Sequence, residues 1–135
     1  LQIAGQQLIE SFSNEKEPWF DEASPRYKAA ARKALDRIFE TYPLSRASKL
    51  PGSDGMPIFE INTGARSRGW RTSPYPAPEI LKEVRRRGGH VMINSDSHAT
   101  DTIDFAFETA AKLARACGFT SVKIITERGI EDLHI

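Results

Sequence analysis

Apolar residues recur at two spacings along this chain, and the switch between them lays out its elements. Ser24, Pro25 and the stripe Tyr27, Ala31, Ala34, Leu35, Ile38 and Phe39 predict a first helix: a hydroxyl cap, a proline suited to the first turn, then apolar positions three and four apart. An irregular loop follows over 42–57, punctuated by Pro43, Pro51, Gly52, Gly55 and Pro57. Ile58-Phe59-Glu60-Ile61-Asn62 then predicts a short strand, with Phe59 and Ile61 on one face and Ile58, Glu60 and Asn62 on the other. A second helix carries Ile80, Leu81 and Val84 inward and stops at Gly88-Gly89. A strand over 91–95 leads to a third helix with Ile103, Phe107, Ala110, Leu113, Ala114 and Cys117 on its buried face, capped by Thr100 or Asp101 and ended by Gly118. A strand over 122–127 precedes a tail to Ile135, and the uncharged opening from Leu1 to Ile9 predicts a short strand or helix.

Helix and strand thus alternate three times. That order predicts an α/β fold in which crossover helices join parallel strands, and parallel strands place ligand sites beyond their carboxyl ends. Two candidate sites fall there. In Val91-Met92-Ile93-Asn94-Ser95-Asp96-Ser97-His98 an apolar run ends in a carboxylate and an imidazole two positions apart, and the period of two puts Asp96 and His98 on one face. One hard oxygen and one borderline nitrogen suit zinc, manganese or iron. The loop Thr63-Gly64-Ala65-Arg66-Ser67-Arg68-Gly69-Trp70-Arg71 combines glycines with three arginines, whose planar, permanently charged forks match phosphate oxygens; the plain alternative is that they are solvated. Because both loops follow strands on the same edge, a phosphate bridged between metal and guanidinium is the expected arrangement.

Composition narrows the classes. The 135 residues suffice for one compact unit, 39% hydrophobic and 27% charged, and a net charge of +1 with interspersed signs lacks the basic stripe that nucleic acid requires. No run of about 18 apolar residues and no signal-peptide pattern is present, so no membrane partner is expected and cytoplasm is the expected compartment. Starting on Leu1 suggests a trimmed or partial chain. Cys117, the single cysteine, reads as a buried packing residue, Arg85-Arg86-Arg87 as a solvated helix end, and His90 and His134 as surface residues.

Glu60-Ile61-Asn62-Thr63-Gly64-Ala65-Arg66-Ser67-Arg68-Gly69, Tyr75-Pro76 and Ile93-Asn94-Ser95-Asp96-Ser97-His98, with a weaker match from Phe20-Asp21-Glu22 through the first helix, resemble the polymerase-and-histidinol-phosphatase (PHP) superfamily, histidinol-phosphatase type. The resemblance implies a distorted, TIM-like (β/α) barrel of about seven parallel strands, with a cluster of divalent metals at their carboxyl ends. This chain would be a single partial domain over 1–135, the C-terminal half of the barrel without the N-terminal metal-binding half. By the same resemblance Asp96 and His98 are catalytic metal ligands, Arg66 or Arg68 holds the substrate phosphate (the loop aligns either way), and Glu60 and Asn62 support them from the barrel mouth. The implied reaction converts L-histidinol phosphate and water to L-histidinol and phosphate in histidine biosynthesis, with water attacking directly. The chain departs from the pattern in lacking the His-x-His pair of the first strand, and in carrying Gln6 and Gln7 where relatives have a metal-binding His followed by an Asp. An amide is a poor substitute for either ligand, so the alternative reading is a non-catalytic remnant with an incomplete metal site. A half-barrel also leaves an open strand edge, through which self-association is expected.

Overall fold

In a computed structural model, which describes residues 21–135, Ser24 opens helix α1 (Pro25–Thr41) by accepting a hydrogen bond at 3.2 Å from the Tyr27 backbone nitrogen, with Pro25 in the first turn. The uncharged opening segment, with Gln6 and Gln7, lies outside the described residues. Of the stripe on α1, Leu35 is buried and Phe39 stacks on Phe59 with ring centroids 5.9 Å apart, whereas Ala34 and Ile38 are exposed. The covered face is therefore narrower than helical spacing predicts.

Strand β1 (Ile58–Asn62), the short helix α2 (Gly64–Ser67), helix α3 (Pro78–Arg86), strand β2 (His90–Asn94), helix α4 (Phe107–Ala116) and strands β3 (Ser121–Thr126) and β4 (Gly129–His134) follow in order. Strands β1 and β2 pair in parallel from Ile58↔His90 to Asn62↔Asn94, with α3 as the connection between them. On its other side β1 meets Tyr75, which exchanges two backbone hydrogen bonds with Asn62 (2.8 and 3.1 Å) next to a cis Tyr75-Pro76 bond. The fold class is thus mixed α/β with one parallel strand pair among the described residues.

The core forms where α1, α3 and α4 cover the strands: Leu35, Ile61, Leu81, Val84, Val91, Ala110, Ala114, Cys117, Phe119 and Val122 are all buried. Gly89 is required here by close approach, since a Cβ would sit 2.8 Å from the Phe39 ring and 2.9 Å from a Val84 methyl. Cys117 packs as expected, and burial pushes its thiol pKa up. Helix α3 ends on Arg85, Arg86 and Arg87, yet this is not merely a solvated end. Arg85 donates to the Gly118 carbonyl at 2.9 Å, Arg86 and Arg87 both pair with Glu83, and Arg87 reaches Asp36 on α1 at 2.6 Å.

Beyond residue 95 two elements differ from the sequence reading. The third helix starts at Phe107 rather than near Thr100, because Thr100–Thr102 forms a separate 3-10 turn and Ala106 adopts φ 58, a left-handed conformation that interrupts helical hydrogen bonding. Ser97 Oγ contacts Thr102 Oγ1 at 2.6 Å, a local side-chain bond of the kind that competes with helix formation, and Ile103 is left 61% exposed. The second difference lies at the C-terminus. Strand β3 does not extend a parallel sheet with β2; it pairs antiparallel with β4, the segment expected to be a tail. The Glu127-Arg128 link and Gly129 at φ +117 make the tight return, and Ile130 donates a backbone hydrogen bond at 2.8 Å to the Pro51 carbonyl in the long loop.

Across this hairpin Lys123, a buried cation, donates to Asp132 at 2.9 Å, and together with Ser121 Oγ it holds the Asp132 carboxyl below the usual carboxylate range. A folded-state pKa below the unfolded one contributes stability above the unfolded value of about 3.9, and that contribution is lost as pH falls through the folded value. Because solvent screens the half-exposed Asp132 carboxylate, Asp132→Asn is expected to cost no more than about 1 kcal/mol at neutral pH and to flatten the loss of stability below about pH 4. Urea midpoints at both pH values test this; parallel pH profiles for the two proteins would remove the pair from the account.

Candidate functional site

The parallel register brings the two candidate segments to one place. Asn62 and Asn94 are direct partners, and the Thr63 nitrogen continues the ladder to the Asn94 carbonyl at 3.0 Å, so the chain leaves β1 and β2 at the same sheet edge. Past that point the backbones nearly touch: a Cβ on Gly64 would lie 2.6 Å from the Ser95 carbonyl oxygen and 3.0 Å from both terminal nitrogens of Arg68. Any side chain at 64 would push these segments apart.

Residues 64–67, read from sequence as loop, form the one-turn helix α2. Asn62 Oδ1 accepts from the Gly64 nitrogen at 2.8 Å and Ser67 Oγ donates to the Gly64 carbonyl at 2.9 Å, local bonds that turn the chain immediately after the strand. Arg66 and Arg68 leave this turn with different fates. Arg68 donates to both the Asp96 carboxylate (Nη2 to Oδ2, 3.1 Å) and the Asp96 carbonyl (Nη1, 3.3 Å), and its guanidinium lies over the Trp70 ring at 4.8 Å. Arg66 lies over Phe105 at 5.9 Å, and its Nη1 is buried without a hydrogen-bond partner, as are Thr63 Oγ1 and the Nε atoms of Arg68 and Arg71. A buried donor left unmatched is costly, so an acceptor brought within reach of the Arg66 guanidinium would be favoured. Arg71, the third arginine of the segment, does not join them: 6% exposed, it pairs with Glu22 at 2.7 Å.

Asp96 sits at φ 49, in the left-handed region that aspartate tolerates better than most residues. While Oδ2 faces Arg68, Oδ1 lies 3.8 Å from Nε2 of His98, whose side chain is 82% exposed. Two donors each roughly 2.0–2.2 Å from a tetrahedral ion lie about 3.4 Å apart, so Oδ1 and Nε2 would have to close by a few tenths of an ångström to share a divalent cation. Two ligands are fewer than the three of a catalytic zinc site, and among the described residues no group of three or more His, Cys, Asp or Glu side chains assembles. Behind this pair Glu60 accepts from Asn62 Nδ2 (2.5 Å) and Asn94 Nδ2 (3.0 Å), tying the two strand ends together.

All four residues singled out from the sequence, Arg66, Arg68, Asp96 and His98, thus fall on adjoining segments at one sheet edge. Sequence reasoning missed Trp70 and Phe105 as the aromatic partners of the two guanidinium groups; an aromatic two positions after Arg68 was the visible signal for the first. His90 pairs with Asp54 at 2.6 Å, and His134 is exposed at the end of β4, so neither joins the site. A cleft of about 200 Å³ between α1 and α3, bordered by Tyr27, Ala31, Leu35 and Ile80, is lined by none of the four.

Over 72 residues the chain is 35% identical to a protein of Schizosaccharomyces pombe described as a probable histidinol-phosphatase. The match covers 53% of this chain and 23% of that protein, so the chain spans about a quarter of the relative's length. No protein-family model and no solved structure matches the chain. Among the described residues no helix is long and apolar enough to cross a membrane.

Proposed function

We propose that this chain is the C-terminal part of a TIM-like PHP barrel and contributes the phosphate-binding edge of a metal-dependent phosphomonoester hydrolase of the histidinol-phosphatase type, acting on L-histidinol phosphate. The observation that supports the reading is the contact of Arg68 with Asp96, beside His98, between the segments that leave β1 and β2 at their carboxyl ends, with Arg66 on the same turn as Arg68, in a chain that partly matches a probable histidinol-phosphatase. Arg66, with its buried unmatched Nη1, meets the phosphate oxygens. Asp96 and His98 hold a zinc, manganese or iron ion together with ligands from outside the described residues. When bound, the metal supplies an activated water and charge stabilisation for the phosphoryl group. The guanidinium of Arg66 orients the monoester and stabilises the charge that grows on its oxygens.

A second reading, a non-catalytic remnant, is favoured by the described residues supplying a pair of ligands where three are needed. The two separate in one experiment: the full-length protein that carries this segment, loaded with manganese or zinc, is incubated with L-histidinol phosphate and inorganic phosphate is measured. The phosphatase reading expects release that chelation abolishes, and a KM about tenfold higher in Arg66→Ala, worth about 1.4 kcal/mol of binding. A metal-loaded protein that releases no phosphate sinks it in favour of the remnant.

A further inference from the structure

The two arginines of the turn after β1 are neighbours in sequence, but their surroundings divide them. The guanidinium of Arg68 is enclosed on three sides. Trp70 covers one face at 4.8 Å, Gly64 approaches so closely that a methyl group there would lie 3.0 Å from both Nη atoms, and Asp96 accepts through its carbonyl and Oδ2. Both of those acceptors belong to a residue at φ 49, whose left-handed backbone needs external support to persist. By gripping the main chain and the side chain of Asp96 at once, Arg68 fixes the peptide and selects which carboxylate oxygen faces inward. Oδ2 is turned to the guanidinium, and Oδ1 is left toward His98 Nε2 at 3.8 Å. Among the described residues Arg66 has no such tie to Asp96 and rests over Phe105; a buried unmatched nitrogen is common to both, Nη1 in Arg66 and Nε in Arg68, so it is the grip on Asp96 that divides them.

We infer that Arg68 is a positioning residue, which holds the Asp96 turn so that Oδ1 and His98 present together, while Arg66 alone of the two meets the phosphate. The inference rests on the phosphatase reading for its kinetic consequence, though not for its structural one. A planar fork is needed for the task, because a lysine offers a single point charge that cannot span a carbonyl and a carboxylate while stacking flat on an indole. Gly64 and Trp70 are on this view parts of the same clamp.

Arg68→Met, Arg68→Lys and Arg66→Met, each made in the full-length protein that carries this segment, test the division. Hydrogen exchange is the readout independent of turnover: Arg68→Met is expected to speed amide exchange across 95–98 by about tenfold, with 91–93 changed by less than about twofold. Arg68→Lys restores part of that protection, and Arg66→Met leaves it unchanged. With L-histidinol phosphate as the probe, Arg68→Met lowers kcat by about 30-fold with KM within about threefold, whereas Arg66→Met chiefly raises KM. Unaltered exchange over 95–98 in Arg68→Met overturns the inference, as does a KM increase matching that of Arg66→Met. If the parent protein releases no phosphate, the phosphatase reading fails and exchange alone decides the role of Arg68.

Discussion

Asp96→Asn combined with His98→Ala is expected to reduce phosphate release from L-histidinol phosphate by on the order of 10³-fold, equivalent to about 4 kcal/mol of transition-state stabilisation. Asparagine is the informative replacement at 96, since it tolerates the left-handed backbone while removing the anionic oxygen that faces His98. The fold should survive: His98 is largely exposed, and neither side chain belongs to the buried core. Melting temperature and phosphate release, measured on the same preparation, separate loss of chemistry from loss of structure. A double variant that turns over at the parental rate would end the proposal that this pair holds a catalytic ion.

Leu81→Ala is expected to be the most damaging single truncation in the core, at about 3 kcal/mol. Leu81 is 0% exposed on α3, and it belongs to the buried cluster that includes Val84, Ile61 and Val91. A cavity there keeps its cost as far as the surrounding close-packed side chains fail to relax into it. Ile103→Ala, by contrast, should change stability by less than about 0.5 kcal/mol, although helical spacing alone assigns both residues to buried faces. Urea unfolding of the two variants distinguishes them; equal losses would mean that the 3-10 turn at Thr100–Thr102 is not the conformation in solution.

What the sequence reveals is the part of the fold governed by short-range patterns. The parallel pair is readable because Ile61 and Val91 lie in apolar runs that end in polar residues, with a proline-led, glycine-terminated helix between them. The convergence of Arg68 with Asp96 follows from that topology, since neighbouring parallel strands release their chains at one edge. The assignment of roles to Arg66 and Arg68 does not follow, because it depends on contacts with Trp70, Phe105 and Asp96 that no spacing rule encodes. Strand β4 is hidden for another reason. Gly129-Ile130-Glu131-Asp132-Leu133-His134 carries too little apolar content to register as a strand, and it is held by its pairing with β3 and by the tie from Ile130 to Pro51. The extent of the third helix was misjudged because apolar spacing persists through Ile103 while the left-handed backbone at Ala106 breaks the hydrogen-bonded run.

The indole stacked on Arg68 gives the protein a built-in optical gauge. Trp70 shares its ring face with the same guanidinium that grips Asp96, so its emission is sensitive to any displacement of that charge. The chain has one other tryptophan, Trp19, and exchanging it for phenylalanine would leave a single emitter at the sheet edge. Occupancy of the site could then be followed as a titration curve in fluorescence, with no substrate turned over.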